Sequence, residues 1–310
     1  MKRVICVVGP TATGKTALGV ALAKAIDGEI ISCDSTAVYR GIDIGTDKPT
    51  MDERQGIVHH LIDVVGPDET YSAARFATEA AAAIHDIHAR GKWPIVVGGT
   101  GFYYRALVRG LFPGPARNDD LRARLERVAA TRGVEALHRW LARVDAPSAT
   151  RIMPRDLKRL VRALEVYLLT GRPLTEHFDA TVSPLKGWQV LTIGLIDPRP
   201  DLETRVALRV DAQFARGVVA EVETLIATGV PETAHAFSGL VYRQIIEMRQ
   251  GVRDEPATRA LIVRENMRYA RRQVMWFRKE PNVRWLSGPG TDAGVQAEAL
   301  ALIRADGFLT

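Results

Sequence analysis

The chain opens on RVICVV at residues 3–8, a β-branched run whose only polar side chain is Arg3, and this predicts a buried strand. Apolar positions from Thr16 to Ile26 then recur at helical spacing, and EIISC at 29–33 predicts a second strand. HHLIDVV at 59–65 predicts a third. The adjacent His59 and His60 would fall on opposite faces of such a strand and cannot jointly chelate one metal there. Ser72 can cap a helix running to about Arg90, with Phe76, Ala80, Ala83, Ile84 and Ile87 as its apolar stripe and Gly91 ending it. Residues 93–97 form a very apolar strand that runs into Gly98-Gly99-Thr100-Gly101. Strands and helices alternate through this stretch, which is the pattern of an α/β core.

After Phe112 the pattern changes. FPGPARND is a break rich in proline and glycine, and no strand is predicted until QVLTIGLI at 189–196. Helical spacing occupies 119–131, 134–144 and 156–169. In the last of these, Leu157, Leu160, Val161, Leu164 and Leu168 make the expected buried stripe, and Lys158, Arg159 and Arg162 gather on another side. Helical patterns dominate the remainder, at 201–214, 218–227, 240–249, 255–278 and 291–305.

The first candidate chemistry lies between the first strand and the first helix. Gly9-Pro10-Thr11-Ala12-Thr13-Gly14-Lys15-Thr16 matches G-x-x-x-x-G-K-[ST], a phosphate-binding loop. Glycines let the backbone wrap phosphate oxygens, amides at a helix N-terminus supply positive potential, Lys15 adds a mobile charge, and Thr16 offers a hydroxyl to Mg²⁺. The loop names a phosphate site and no reaction, since kinases, ATP-using enzymes and enzymes that only hold a pyrophosphate all employ it. The expected architecture is therefore a P-loop NTPase-like parallel sheet core flanked by helices, formed by 1–113 and 186–310, with an inserted all-helical domain at 114–185. Asp34 follows the second strand, where an open sheet places its ligands, and a carboxylate there serves as a base or as a magnesium partner. Residues 39–50 predict a long loop over the site, and the Gly98–Gly101 turn predicts a second close backbone approach with the Thr100 hydroxyl exposed.

Composition adds limits. The 310 residues are 46% hydrophobic and 25% charged, with two cysteines, Cys6 and Cys33, both in strand-like runs. Too few for a disulfide scaffold or a cysteine zinc site, they read as buried small hydrophobes. No stretch approaches a membrane span, and the first strand begins at once, so a cytoplasmic protein without membrane association is expected. The net charge is +6, but residues 117–172 alone carry thirteen Lys and Arg against seven Asp and Glu, and 264–279 carries six against Glu265. Such concentration points to a polyanion larger than a nucleotide.

Several ordered motifs together resemble one family: GPTATGKT at 9–16, ISCDS at 31–35, GIDIGTDKP at 41–49, HLID at 60–63, YSAARF at 71–76, VVGGTGFYYRAL ending at Leu107, RLVRALEVYLLTGRPLT at 159–175 and YRQ at 242–244. The chain resembles the tRNA dimethylallyltransferases, also called tRNA isopentenyltransferases, of bacterial type. The resemblance implies transfer of a dimethylallyl group from dimethylallyl diphosphate to N6 of the adenosine 3′ of the anticodon, with Mg²⁺ as cofactor and the tRNA anticodon stem-loop as partner. A monomer is the default expectation. In the family the loop at 9–16 holds the diphosphate, so Lys15 and Thr16 serve the leaving group, Thr16 and Asp34 the metal, and Asp34 also resembles the general base. Thr100 matches the threonine of the GGT motif. Arg205 and Arg209 match an R-[IV]-x-x-R pattern, of which one arginine meets the diphosphate. The implied tRNA contacts are Asp34, Ser35, Thr36, Ala37, Thr100, Arg122, Lys158, Arg159, Leu160, Val161, Arg162, Ser238, Gly239, Tyr242 and Arg243, with Tyr242 or Phe237 offered as a stacking ring.

The resemblance has departures. The short glycine-tyrosine-arginine motif appears as Ser238-Gly239-Leu240-Val241-Tyr242-Arg243, and R-Q-x-T-W appears as Arg272-Gln273-Val274-Met275-Trp276. With two cysteines, the zinc-finger extension of eukaryotic relatives is not expected. Two other functions remain open on the residues alone. A small-molecule P-loop kinase would use Asp34 as base and Lys15 on a γ-phosphate, and a non-catalytic RNA-binding protein could retain the nucleotide fold.

Overall fold

The computed structural model describes residues 2–198 and 201–308. The chain divides into two compact units, one formed by Met1–Val108 with Pro184–Thr310 and the other by Arg109–Ser183.

The first unit begins with β1 (Arg3–Val8), α1 (Lys15–Ile26), β2 (Gly28–Ser32), α2 (Met51–Arg54), β3 (His59–His60), α3 (Ala73–Ala89), β4 (Trp93–Gly98) and α4 (Gly101–Arg109). The second unit holds α5 (Asp119–Arg132), α6 (Val134–Val144), α7 (Ala146–Arg151), α8 (Leu157–Thr170) and α9 (Leu174–His177). The first unit then resumes with β5 (Gln189–Ile196), α10 (Leu202–Ala215), α11 (Val218–Ala227), α12 (Tyr242–Arg249), α13 (Glu255–Phe277), β6 (Val283–Ser287) and α14 (Ala293–Ala305).

Among the described residues the strands form one sheet in the order β3-β2-β4-β1-β5-β6, and every pairing is parallel. Parallel strands covered on both faces read as nearly continuous apolar runs, and Val4 to Val8 are accordingly all 1% exposed or less. Ile5, Val7, Ile30, Ile95, Val97, Ile193 and Leu195 pack with Leu18, Leu22 and Ile26 of α1 and with Val295, Ala299 and Ile303 of α14. Alternate residues point the other way, toward the side where α3 packs on β2 and β4. With β1 at the centre, its carboxyl end and the phosphate loop sit where crossovers diverge, the usual ligand position of such a sheet.

Two expected elements come out differently. The third strand stops at His60, because Leu61 and Asp63 take left-handed backbone conformations, φ 61° and 58°, which cannot continue a strand. Val65 touches the sheet region only through a bridge to Tyr39. Residues 283–287, not anticipated as a strand, form β6 beside β5. The histidines are indeed separate: His60 Nε2 lies 2.8 Å from the Glu29 carboxylate, whereas His59 Nδ1 bonds the Ile57 carbonyl.

The second unit is all helical. Leu125, Ala129, Leu137, Leu141, Leu160, Val161 and Leu164 form its core. Leu168, expected in that stripe, is 41% exposed. Glu165 is instead fully buried there, and its carboxylate is met by the Asn118 amide and by both Arg122 and Arg162. Those donors, Arg122 first, outweigh the burial and hold its pKa down to about 2. Among the described residues no helix is long and apolar enough to cross a membrane.

Candidate active site

Several segments line one cavity of roughly 530 Å³ in the first unit, among them the phosphate loop, 34–37 with 45–49, the Gly98-Gly99 turn, 239–241, and α10 with α13. The phosphate loop leaves β1 and enters α1 through Gly14, whose φ of 80° is left-handed and which caps the helix without any side chain. A Cβ at Gly14 would also stand 2.9 Å from the Gly290 nitrogen, so no other residue fits. The first-turn amides of α1 are thereby kept from a side-chain cap and remain available to an anion. Thr13 braces the loop from within, donating its hydroxyl to the Pro10 carbonyl at 2.9 Å. From behind, the Gly290 amide donates to the Thr13 carbonyl at 2.8 Å.

Two cations face this cavity. Lys15 Nζ donates to the Pro10 carbonyl, and Arg209 donates to the Thr11 hydroxyl at 2.6 Å while also pairing with Asp47. Burial, with Arg209 nearby, lowers the Lys15 pKa to about 8, and burial likewise lowers Arg209 to about 10. Depressed cation pKa values side by side mark a site whose positive charge is incompletely compensated, and an anion in contact with both restores it. Arg205 behaves differently. It pairs with Asp197 at 3.1 Å and with Asp201, and it does not line the cavity. Of the two matched arginines, only Arg209 meets the phosphate loop.

Asp34 stands across the cavity at the end of β2. Its Oδ1 accepts from the Thr36 amide at 2.8 Å, the Thr36 hydroxyl at 2.6 Å and the Ala37 amide at 3.3 Å. This turn fixes the carboxylate and leaves Oδ2 without a protein donor among the described residues. Thr100 Oγ1 accepts from the Ser35 amide at 3.2 Å, which ties the Gly98–Gly101 turn to the Asp34 loop. Tyr269 also lines the cavity, and burial, reinforced by the Asp34 charge, pushes its hydroxyl up to about 12. It therefore remains a neutral hydroxyl at the cavity wall.

The wall formed by α13 was not anticipated. Asn266, Tyr269 and Gln273 all line the cavity, yet within a basic amphipathic stretch only the R-Q-x-x-W fragment hinted at a role. A second feature invisible in the sequence is Val241, a buried β-branched residue at φ 76°, ψ −61°, a conformation that side chains of this type rarely adopt. It borders the cavity and delays the start of α12 to Tyr242.

The implied RNA contacts differ in how far they reach the surface. Tyr242 is fully buried, donating to Glu221 at 2.5 Å and accepting the Gly45 amide at 3.0 Å, and Phe237 is 2% exposed, so neither ring is available for stacking on a base. The Leu160 and Val161 side chains belong to the core of the helical unit, and Ala37 is 4% exposed. Arg122 and Arg162 are drawn into the buried Glu165 cluster. Lys158, Arg159, Ser238 and Arg243 are exposed, and Gly239 lines the cavity beside Ser35 and Thr36. Thr16 and Asp34 both line it as well. Among the described residues no group of three or more His, Cys, Asp or Glu could hold a metal ion, so a cation here would be held by one or two protein oxygens and the ligand's own phosphates.

Comparison with known proteins places the chain among relatives of one kind. The IPP transferase family model matches residues 37–280. A tRNA dimethylallyltransferase of Koribacter versatilis is 45% identical over 296 residues, covering 96% of each chain. The crystal structure of the tRNA isopentenylpyrophosphate transferase of Bacillus halodurans superposes with a TM-score of 0.73 at 35% identity, covering 99% of this chain and 96% of that one. A eukaryotic dimethylallyltransferase acting on tRNA superposes with a TM-score of 0.79 at 28% identity, covering 99% of this chain and 79% of that one. The likeness runs along nearly the whole chain, and the chain belongs to the tRNA dimethylallyltransferase (IPP transferase) family.

Proposed function

We propose that this chain alkylates N6 of the adenosine 3′-adjacent to the anticodon of tRNA, using dimethylallyl diphosphate. The observation that carries this reading is the shared cavity: Lys15 and Arg209 stand at the phosphate loop, and the open Oδ2 of Asp34 with Thr100 stands across from them.

In this mechanism the diphosphate lies on the α1 amides, Lys15 and Arg209. As the allylic C–O bond breaks, its electron pair leaves with the diphosphate, and the growing charge meets donors already in place. The adenine N6 lone pair forms the new C–N bond. That amine is a poor nucleophile because its lone pair is delocalised into the ring, so removal of its proton by Asp34 Oδ2 assists attack. Thr100, held by the Ser35 amide, is the hydroxyl placed to orient the amine. Mg²⁺ fits the hard oxygen donors present; Thr16 would hold it against the diphosphate, where it neutralises leaving-group charge. Asp34 Oδ2 is kept for the proton, since one oxygen cannot both bind a cation and act as base in the same step. The base must leave the loop stack to reach this cavity, and Lys158 and Arg159 offer exposed charge to the tRNA from the helical unit.

The test is mass analysis of anticodon-loop nucleosides after incubation with dimethylallyl diphosphate and unmodified tRNA. Appearance of a dimethylallyl adenosine, dependent on both, is the expected result. Consumption of ATP with no need for the allyl donor would instead establish the kinase alternative.

A further inference from the structure

The loop at 43–48 is pinned at both ends. Lys48, 8% exposed, donates to the Tyr39 carbonyl at 2.7 Å and to Asp63 at 2.6 Å, and it pairs with Asp43. Glu221 of α11 accepts the Asp43 and Ile44 amides at 3.0 and 2.8 Å, and the Tyr242 hydroxyl accepts the Gly45 amide. Between these anchors Asp47 takes a left-handed backbone, φ 47°, and lines the cavity. Its carboxylate is thus carried to the phosphate site by a segment fastened on either side.

Three side chains from α10 and its C-cap meet that carboxylate. Arg209 donates to Oδ2, Gln213 Nε2 donates to the same oxygen at 2.9 Å, and Arg216 lies 3.8 Å from Oδ1. Arg209 reaches the phosphate loop at the same time, through the Thr11 hydroxyl. A neutral amide at position 47 could orient this guanidinium without repelling an anionic ligand. A carboxylate also competes with that ligand for the cation. When Arg209 turns away, Gln213 and Arg216 still meet Asp47, so the exchange strands no charge in the cavity wall.

We propose that Asp47 is the chain's own counter-charge for Arg209, given up when a diphosphate binds and regained as pyrophosphate leaves. The proposal rests on the reading above, in which the loop at 9–16 holds the leaving group. Breaking the C–O bond adds charge to that group, and fixed cations alone would retain it more tightly. Sharing Arg209 with Asp47 lowers that retention, which makes Asp47 a positioning residue for product release.

The test is calorimetric titration of inorganic pyrophosphate into wild type, Asp47→Asn and Asp47→Gly, with thermal unfolding of the same samples. Both replacements tolerate a left-handed backbone. Each should bind pyrophosphate about fivefold or more tightly, since apparent affinity falls with the fraction of time the cation is engaged elsewhere. The inhibition constant of pyrophosphate in the transfer assay should drop by the same factor. In an Arg209→Gln background the Asp47→Asn effect should shrink to less than about twofold. Structural damage weakens binding and does not produce this gain. Equal or weaker binding by both folded variants overturns the exchange and leaves Asp47 a brace for Arg209; a gain that persists without Arg209 overturns it as well. Where wild type binds pyrophosphate and transfers the allyl group yet neither variant gains affinity, only the exchange fails. Wild type that binds no pyrophosphate sinks the functional reading and the exchange with it.

Discussion

Gln273 holds Thr11 and, through the same carboxamide, the Gly98–Gly101 turn. Its Oε1 accepts the Thr11 amide at 2.8 Å and its Nε2 donates to the Gly99 carbonyl at 2.9 Å. Thr11 belongs to the phosphate loop and Gly99 precedes Thr100, so one buried side chain sets the spacing between the leaving group's cradle and the acceptor's. A Cβ on Gly99 would lie 2.4 Å from Nε2, which is why the turn carries glycine there. Gln273→Glu keeps the acceptor toward Thr11 but sets an oxygen against the Gly99 carbonyl. Because small misplacements at a reacting centre are costly in rate, kcat should fall about 10- to 100-fold while pyrophosphate affinity changes only a few-fold. Steady-state kinetics with a parallel pyrophosphate titration decides it; equal losses in both would reduce Gln273 to a packing role.

Asp34→Asn preserves the Oδ1 acceptor that organises Thr36 and Ala37, so the loop should keep its shape. Removal of the base should lower transfer by about 10²- to 10⁴-fold with RNA affinity within a few-fold. Single-turnover transfer assays check this, and unimpaired transfer would remove Asp34 from the proton step.

The two arginines of α10 should separate cleanly. Arg209→Gln should weaken pyrophosphate binding about 10- to 100-fold, because a charge-assisted donor at the phosphate loop is lost. Arg205→Gln removes a counter-charge from Asp197, which is 1% exposed, and should instead lower stability by about 1 to 3 kcal/mol with pyrophosphate affinity kept. Calorimetric titration and denaturant unfolding on both variants test the contrast; a reversed pattern would exchange the roles assigned to them.

The lowered pKa of Lys15 gives a pH signature. The side chain is charged below about 8 and loses its proton as pH rises through that value, the reverse of an unperturbed lysine, which stays charged there. Pyrophosphate affinity, corrected at each pH for the pyrophosphate's own protonation, should therefore be flat to about pH 7 and decline from about 8 upward. Lys15→Arg should flatten the decline. A wild-type curve level to pH 9.5 would show that Lys15 does not contact the diphosphate.

Local pattern alone was enough for much of this protein. The phosphate loop needs a strand, a glycine and a helix in sequence, and every one of those signals lies within residues 3–26, so β1, the loop and α1 were legible without a fold. The same holds for Asp34 and Thr100, each adjacent to a strand end, and for the helices of the second unit, whose spacing is regular. What the tertiary structure decided is which charges are available. Glu165 lies in a stripe that reads as apolar, and only its burial shows that Arg122 and Arg162 are held inward. Arg205 and Arg209 are equivalent in the sequence, and one helical turn of rise along α10 separates a salt bridge to Asp197 from a contact with Thr11. Tyr242 resembles a stacking ring until the Gly45 amide and Glu221 are seen around it. Gln273 and Tyr269 reach the site from more than 160 positions beyond the phosphate loop and the Gly98–Gly101 turn, and no local periodicity carries a contact of that range. Short-range signals encode elements; the compensation of a buried charge is a property of everything packed around it, and only the folded chain contains it.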